Sequence, residues 1–397
     1  MPTPVWQRIE SWVVGEEAVT LMLPEGMSLR TEFPLTERMI YLDVAYHNIL
    51  PTSGAHAMAT FCREQLQGGG DPHLWEKEAE LTRAKLARLI GAGPEEIAFV
   101  KNTAEGLSIA ASALPLRPDD NVVINDLEHP SNVYPWRNLE RLGVQVRVVN
   151  NVGGRLPVPE LLAATDARTR AIAISAVQFS NGLRTDLAGL AEHCRRRRVY
   201  LVVDAIQALG ILDFDVRSLG LDVVAAGGHK GLLAPYGIGG LYVRREVIPE
   251  LHPAHLGGEG VYREGVAEEL RIRDDACRFE VGNYNFPGLA GLSAGLDILL
   301  EVGVKAIEQH ILELCGRLTE GLRRLDLTVV SPLGHGERSS IVVFALPDPD
   351  QAVRHFEASG ARVSLRRGNI RVSTHLYNTA EDIQRLLGLV EGYLASR

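Results

Sequence analysis

The stretch "AAGGHKGLLAPYGIGG", residues 225–240, sets one lysine among glycines and small apolar residues. The chain has five lysines against 36 arginines, and Lys77, Lys85 and Lys305 fall in polar helical stretches. Where arginine is the habitual cation, a lysine in a glycine-permitted turn answers a need that arginine cannot meet. That need is an amine that loses its proton when desolvated and can form a Schiff base. Taken alone, Lys230 could equally be a surface amine. Asp204 closes the apolar run "YLVVD". A carboxylate there is either a helix N-cap or the partner of a buried cation. Beside an imine-forming lysine it would hold a pyridine nitrogen protonated and keep that ring an electron sink.

Two further segments complete the constellation. "FVKNTAEGLSIAA" passes from strand through a turn into a helix, so the Thr103 and Ala104 amides would meet an anion at the positive end of the helix dipole. The competing reading makes Thr103 a simple helix cap. In "NDLEHPSNVYPW", His129 follows another strand end, either as a structural histidine or as a ring that stacks on a ligand ring. An amine, an acid, an anion cradle and an aromatic ring together point to pyridoxal 5'-phosphate held by Lys230.

The elements that must position these groups are legible from apolar runs. "IAFV", "NVVIND", "VQVRVV", "RAIAISAV", "YLVVD", "DVVAAG" and "GGLYV" are apolar nearly throughout, as strands buried on both faces of a mostly parallel sheet should be. Segments with helical spacing, such as "TAEGLSIAASAL" and "DLAGLAEHCRRRR", lie between them, which predicts an α/β layered unit. Ligands of such sheets sit beyond the carboxyl ends of the strands, where Thr103, His129, Asp204 and Lys230 fall. After "NFPGLAGLSAGLDILLEVG" the pattern becomes a long helix. Strands at "LTVVS", "SSIVVFAL", "ARVSL" and "NIRVS" follow, with helices at 350–358 and 379–395, as in a smaller α+β unit. The predicted division is residues 1–40 joining the small unit, 41–295 as the large cofactor-binding domain, and 296–397 as the small C-terminal domain.

Composition narrows the partners. A net charge of −9 argues against nucleic-acid binding, and the basic run Arg195 to Arg198 reads as the solvated C-terminus of a helix. No apolar run approaches the roughly 20 residues that span a bilayer. The first 20 residues lack the basic and apolar regions of a signal peptide, so a cytoplasmic location is expected. Cys62, Cys194, Cys277 and Cys315 share no metal-ligand spacing and read as reduced structural thiols, with no metal site expected.

At these residues the chain resembles the class V aminotransferases, fold-type I pyridoxal-phosphate enzymes that include cysteine desulfurases and isopenicillin-N-epimerase-like proteins. The similarity runs from "YLDVAYHN" (41–48) to "RVSTHLYNTAEDI" (371–383). It implies that Lys230 forms the imine with the cofactor, Asp204 pairs with the pyridine nitrogen, His129 stacks on the ring and Gln207 hydrogen-bonds the ring hydroxyl. It further implies that Thr103, the Ala104 amide and His229 bind phosphate. Asn283, in "RFEVGNYN", would reach the phosphate of the other subunit of a homodimer. Arg371 would take the substrate carboxylate; without the resemblance it reads as a strand-edge surface charge.

Departures from the family pattern shape the expected reaction. Gly227 stands in place of a phosphate-binding serine, and Phe179 in place of an asparagine that contacts cofactor and substrate, a loss that Asn181 is expected to make good. "NYN" replaces a threonine-proline pattern. No cysteine follows Cys315, so the persulfide-forming loop that desulfurases carry before Arg371 is missing. The resemblance therefore implies an enzyme acting on an α-amino acid. The leading expectation is a C–S or β-elimination lyase, or an aminotransferase, working on a modified and possibly sulfur-containing substrate. An epimerase or racemase, a desulfurase without that loop, and a silent cofactor-binding scaffold are the alternatives.

Overall fold

The computed structural model describes residues 29–262 and 269–397. The expectations for residues 1–28, including their place in the small unit, lie outside the described residues.

Twelve strands follow one another along the described chain: β1 (Ile40–Tyr41), β2 (Ile97–Val100), β3 (Asn121–Asn125), β4 (Gln145–Val149), β5 (Thr169–Ser175), β6 (Tyr200–Asp204), β7 (Val223–Gly227), β8 (Gly239–Val243), β9 (Ile341–Phe344), β10 (Ala361–Arg362), β11 (Ser364–Arg366) and β12 (Asn369–Ser373). The seven runs of the large unit form one sheet in the order β2-β8-β7-β6-β5-β3-β4. It is parallel from β7 to β4, while β8 runs antiparallel to both β7 and β2.

Alternate residues of each strand feed two cores. In β6, Leu201 and Val203 join one apolar cluster and Val202 the other; in β2, Ile97 and Phe99 part from Ala98 and Val100 in the same way. This is the period of two expected of a strand covered on both sides. The edge strand β4 departs from the expectation of two buried faces: Gln145 and Val148 are exposed, and Val146, Arg147 and Val149 are half-buried. At the opposite edge β2 is buried throughout. Helices Thr52–Gly68, Pro72–Leu89 and Phe286–Val302 pack together on one side, and helix Thr103–Ala113 supplies Leu107, Ala110 and Ala111 to the other core.

Because β8 reverses direction, β2 is parallel to β7, and six strands end at the same edge. Those ends are Val100, Asn125, Val149, Ser175, Asp204 and Gly227, so the sheet delivers the residues after each of them to one edge.

A second, antiparallel sheet has the order β11-β12-β9, and β1 pairs in parallel with β10. The predicted strand at "LTVVS" forms only a bridge from Val329 to Phe344; Pro332 just beyond it has no N–H to extend a ladder. The helices at 350–358 and 379–395 form as Pro349–Ala358 and Ala380–Ala395. Residues 29–41 lie against this part of the chain. Arg30 donates to Asp382 at 2.8 Å, and the rings of Phe33 and Tyr377 lie 4.8 Å apart. Gly303, at φ 83°, separates helix Phe286–Val302 from helix Val304–Arg324. No described helix is long and apolar enough to cross a membrane.

Candidate active site

Asp204 ends β6 in register with Ser175 of β5 and Ala225 of β7, at the middle of the sheet. It is 3% exposed and caps no helix; a turn follows, and its Oδ1 accepts from the Ile206 amide at 3.0 Å. Burial, helped by the nearby Glu128 charge, pushes its pKa up, with Lys230 opposing. Burial likewise lowers the pKa of Lys230, Asp204 resists, and Arg371 and Arg366 add to the fall. The two groups therefore lie within each other's field, as the sequence reading requires.

The Lys230 turn is held by its backbone. Leu233 N–H donates to Lys230 O at 3.1 Å and Asn48 N–H donates to His229 O at 2.9 Å. The ring of His375 meets the Gly231 carbonyl from Nε2 at 3.0 Å while its Nδ1 accepts from the Leu376 amide at 2.7 Å. Gln207 donates Nε2 to Ala45 O at 3.0 Å, which leaves its buried Oε1 without a partner.

The anion cradle is built from β2 and β7. Asn102, not Thr103, caps helix Thr103–Ala113, accepting from the Glu105 amide at 2.9 Å. Thr103 is buried in the first turn, where its Oγ1 accepts from the Gly227 amide at 2.9 Å. Its hydroxyl proton is thereby left for another acceptor. A Cβ on Gly227 would come within 3.1 Å of His229 Nδ1 and 3.4 Å of the Thr103 amide nitrogen. The missing side chain thus opens a space bounded by a helix N-terminus and an imidazole. His229 stacks on Tyr236 at 4.5 Å, and burial and then Lys230 lower its pKa to about 4. Asn283 is exposed and lines a cavity of about 500 Å³ with Lys101, Glu105 and His255, beside the start of the same helix.

His129 accepts from the Ser131 amide at 3.2 Å and meets Phe179 edge-on, with ring centroids 4.9 Å apart. Burial, then the charge of Lys230, lowers its pKa. The residue before it organises the loop. Glu128, 5% exposed, receives the Ser175 amide at 2.9 Å, Gln178 Nε2 at 2.7 Å and Asn132 Nδ2 at 2.8 Å.

Arg371 is no surface charge. It is 1% exposed, and its Nε donates to Ser364 Oγ at 3.0 Å, Nη1 to Phe179 O at 2.9 Å and Nη2 to Asp43 at 3.4 Å. Burial and the neighbouring Arg366 lower its pKa to about 10. Three of its five N–H groups are occupied, so two remain for a ligand. Asn181 is spent elsewhere: Nδ2 donates to Gly154 O at 2.7 Å and Oδ1 accepts from the Leu183 amide at 3.1 Å. It braces a turn, and the compensation expected of it for Phe179 finds no support in these contacts. In "NYN", Asn285 caps helix Phe286–Val302 by accepting from Gly288 at 3.1 Å.

The chain matches a known family over most of its length. The profile of the aminotransferase class-V family matches residues 73–386. The chain belongs to that family. A probable cysteine desulfurase of Methanothermobacter thermautotrophicus is 31% identical over 388 residues, covering 90% of this chain and 95% of that protein. An uncharacterized protein of Schizosaccharomyces pombe is 31% identical over 384 residues, 93% of this chain and 87% of that one. Among solved structures, the apo cysteine desulfurase of Thermococcus onnurineus NA1 superposes with a TM-score of 0.84 at 26% identity, over 93% of this chain and 98% of that chain. The cystine C–S lyase C-DES in complex with cysteine persulfide gives a TM-score of 0.84 at 24% identity, over 90% and 98% of the two chains.

The protein is thus a pyridoxal-phosphate enzyme of the class V, cysteine desulfurase-like kind. Its residues fit the cofactor. The orphaned Gln207 Oε1, the space at Gly227 and the buried Asp204 within the field of Lys230 supply an acceptor, an anion cradle and a charge partner. Asp43, Glu128, His375 and Arg366 stand among these groups and escaped the sequence reading. Asp43 lies in the quoted "YLDVAYHN", but nothing local to it marks a pairing with residue 371.

Proposed function

We propose that this class V enzyme is a C–S lyase that cleaves an S-substituted cysteine by β-elimination, releasing a thiol, pyruvate and ammonia with uptake of one water. The observation that carries this reading is the segment before Arg371. β11 and β12 form a hairpin whose turn is Arg367–Gly368, with φ 48° and 75°, the signature of a two-residue type I′ turn. Such a turn has no length to swing a nucleophile to the substrate, and it holds no cysteine. Cys194, Cys277 and Cys315 are buried, and burial raises Cys194 to about 12 and Cys315 to about 11, far from the thiolate needed to accept sulfur. With no persulfide acceptor on the hairpin, the sulfur leaves on the departing group.

When bound, pyridoxal phosphate supplies a sink for the charge that develops at Cα. Lys230, with its pKa lowered by burial, takes the Cα proton as a general base. Arg371 holds the substrate carboxylate with its two unused N–H groups, Asp204 sustains the charge on the ring nitrogen, and His129 covers the ring. Gln207 meets the ring hydroxyl, while Thr103, the Ala104 amide and His229 take the phosphate. Asn283, exposed on the single chain, completes the phosphate site of a second copy, so the working unit is a homodimer.

The test is to give the holoenzyme S-alkyl cysteines, free cysteine, and an amino acid paired with a 2-oxo acid, and to assay pyruvate, sulfide and exchanged amino groups. Equal yields of thiol and pyruvate are expected. Lys230→Ala should remain folded, lose the cofactor on denaturing dialysis and turn over more than about a thousandfold more slowly. Amino exchange without pyruvate, or sulfide from free cysteine alone, would overturn the reading.

A further inference from the structure

We propose that Arg366 makes the site select amino acids whose side chain ends in a second anion, such as a carboxylate beyond the sulfur; this rests on the C–S lyase reading for the reaction, though not for the binding. Residues two apart on a strand share a face. Ser364 uses that face to donate its hydroxyl to Asp43 at 2.7 Å and to accept from Arg371 Nε at 3.0 Å. Arg366, two residues on, points the same way, and its guanidinium lies 5.6 Å from the Tyr46 ring centroid.

Arg366 Nη1 donates to the Leu365 carbonyl at 2.7 Å, and among the described residues no carboxylate forms an ion pair with it. Arg371, by contrast, has Asp43 beside it. The site therefore carries one arginine already balanced and one unbalanced. The charge of Arg366 is felt at Lys230, His129, Asp43 and Arg371, so it lies within reach of the groups of the site. Its position is fixed. Arg367 Nη2 hooks the hairpin tip to the Asp126 carbonyl at 3.3 Å, in the loop that leads to His129. Along the ladder Arg366 stands roughly 7 Å from Ser364, the direct partner of Arg371. That is the scale of the distance between the α-carboxylate and a terminal carboxylate of an S-carboxyalkyl cysteine. Arg371, across the ladder from Ser364, and Arg366 thus share one face of the hairpin, and two arginines so placed suit a substrate with two anionic ends.

The matched probes are S-(2-carboxyethyl)-L-cysteine and S-(2-carbamoylethyl)-L-cysteine, which differ in charge and scarcely in shape. Wild-type holoenzyme is expected to favour the carboxylate by about ten- to a hundredfold, both in kcat/KM for pyruvate release and in affinity read from the visible absorbance of the cofactor. Arg366→Gln should bring that ratio close to one, and Arg366→Lys should keep part of it. A wild-type ratio near one overturns the proposal. So does an Arg366→Gln variant that slows both probes equally while shifting the pH profile, for then Arg366 acts only on the Lys230 amine. If Arg366→Gln does not fold, the wild-type ratio and its retention in Arg366→Lys decide. Tighter binding of the carboxylate probe with no pyruvate from either would remove the lyase reading and leave the anion site standing.

Discussion

Replacing Glu280 with glutamine should loosen the cofactor and destabilise the fold through one buried contact. Glu280 and Arg83 have side chains only 2% exposed each. Four donors converge on that carboxylate: Arg83 Nη1 at 2.7 Å and the Phe99 amide at 2.6 Å on Oε1, and Arg83 Nη2 at 3.3 Å and Tyr284 OH at 2.8 Å on Oε2. A glutamine keeps one acceptor and turns an NH₂ toward the other pair; the Tyr284 hydroxyl can rotate to accept from it, but an Arg83 N–H loses its partner on residue 280 whichever way the amide is set. Arg83 is left buried with Glu80, whose side chain is 61% exposed, as its remaining acid. Removing one partner of a buried pair costs about 3–5 kcal/mol. For a chain of 397 residues that is a fall of about 4–6 °C in Tm at the usual unfolding entropy per residue. The effect reaches the site because Glu280 ties the segment bearing Asn283 to β2, whose end leads into the Thr103 turn. Cofactor affinity, measured by reconstituting apoenzyme, should fall with Tm. Glu80→Gln removes only the exposed partner and should cost under about 1 kcal/mol. If Glu280→Gln and Glu80→Gln melt within a degree of one another, the buried pair does not fix this segment.

Two further perturbations test the cradle and the lysine turn. Gly227→Ser would place a hydroxyl in the space between His229 and the Thr103 amide, where its Cβ fits with a shift of a few tenths of an ångström in the His229 ring. Pyridoxal phosphate should bind about 3–10 times more tightly in reconstitution titrations, and unchanged or weaker binding would show that the space does not face the phosphate. His375 is fully buried, with a pKa lowered from 6.5 to about 4 by burial. The unfolded chain therefore takes up this proton first, and stability is lost as the pH falls from about 6.5 toward 4, by about 1.4 kcal/mol per pH unit. Urea midpoints over that range should fall more steeply for wild type than for His375→Gln; parallel curves would place the ring's titration elsewhere.

The strands were legible because burial on both faces leaves an unbroken apolar run, and the run names the residue that follows it. Asp204 and Lys230 stood out for that reason, one after "YLVV" and one beyond "VVAAGG". β4 differs because its apolar composition does not say whether its outer side is covered, as that of the other edge strand β2 is, and "LTVVS" because β propensity says nothing of whether a neighbour is free to pair. Thr103 opens the helix, and the capping role falls to Asn102, whose side-chain oxygen accepts from the Glu105 amide. Asp43 and Arg371 meet across 328 positions of sequence, and no period or spacing connects them. Glu128 was passed over beside His129, since a single acid at a strand end looks the same whether it faces water or gathers amides.

Asp43, Glu128 and His375, which no sequence pattern marks, share one property: each acts on the chemical groups through another side chain or through backbone. His375 holds Gly231, Glu128 holds the His129 loop, and Asp43 and Ser364 hold Arg371. The reacting groups must lie at strand ends, where the sheet delivers them, so sequence order marks them. Their supports need only be near in space, and come from wherever the chain happens to pass. Arg366 differs from these supports. It sits on the same short hairpin as Ser364, faces the same site, and among the described residues forms no ion pair with an acid. On the proposal above, what such a cation attracts is the second anion of the substrate.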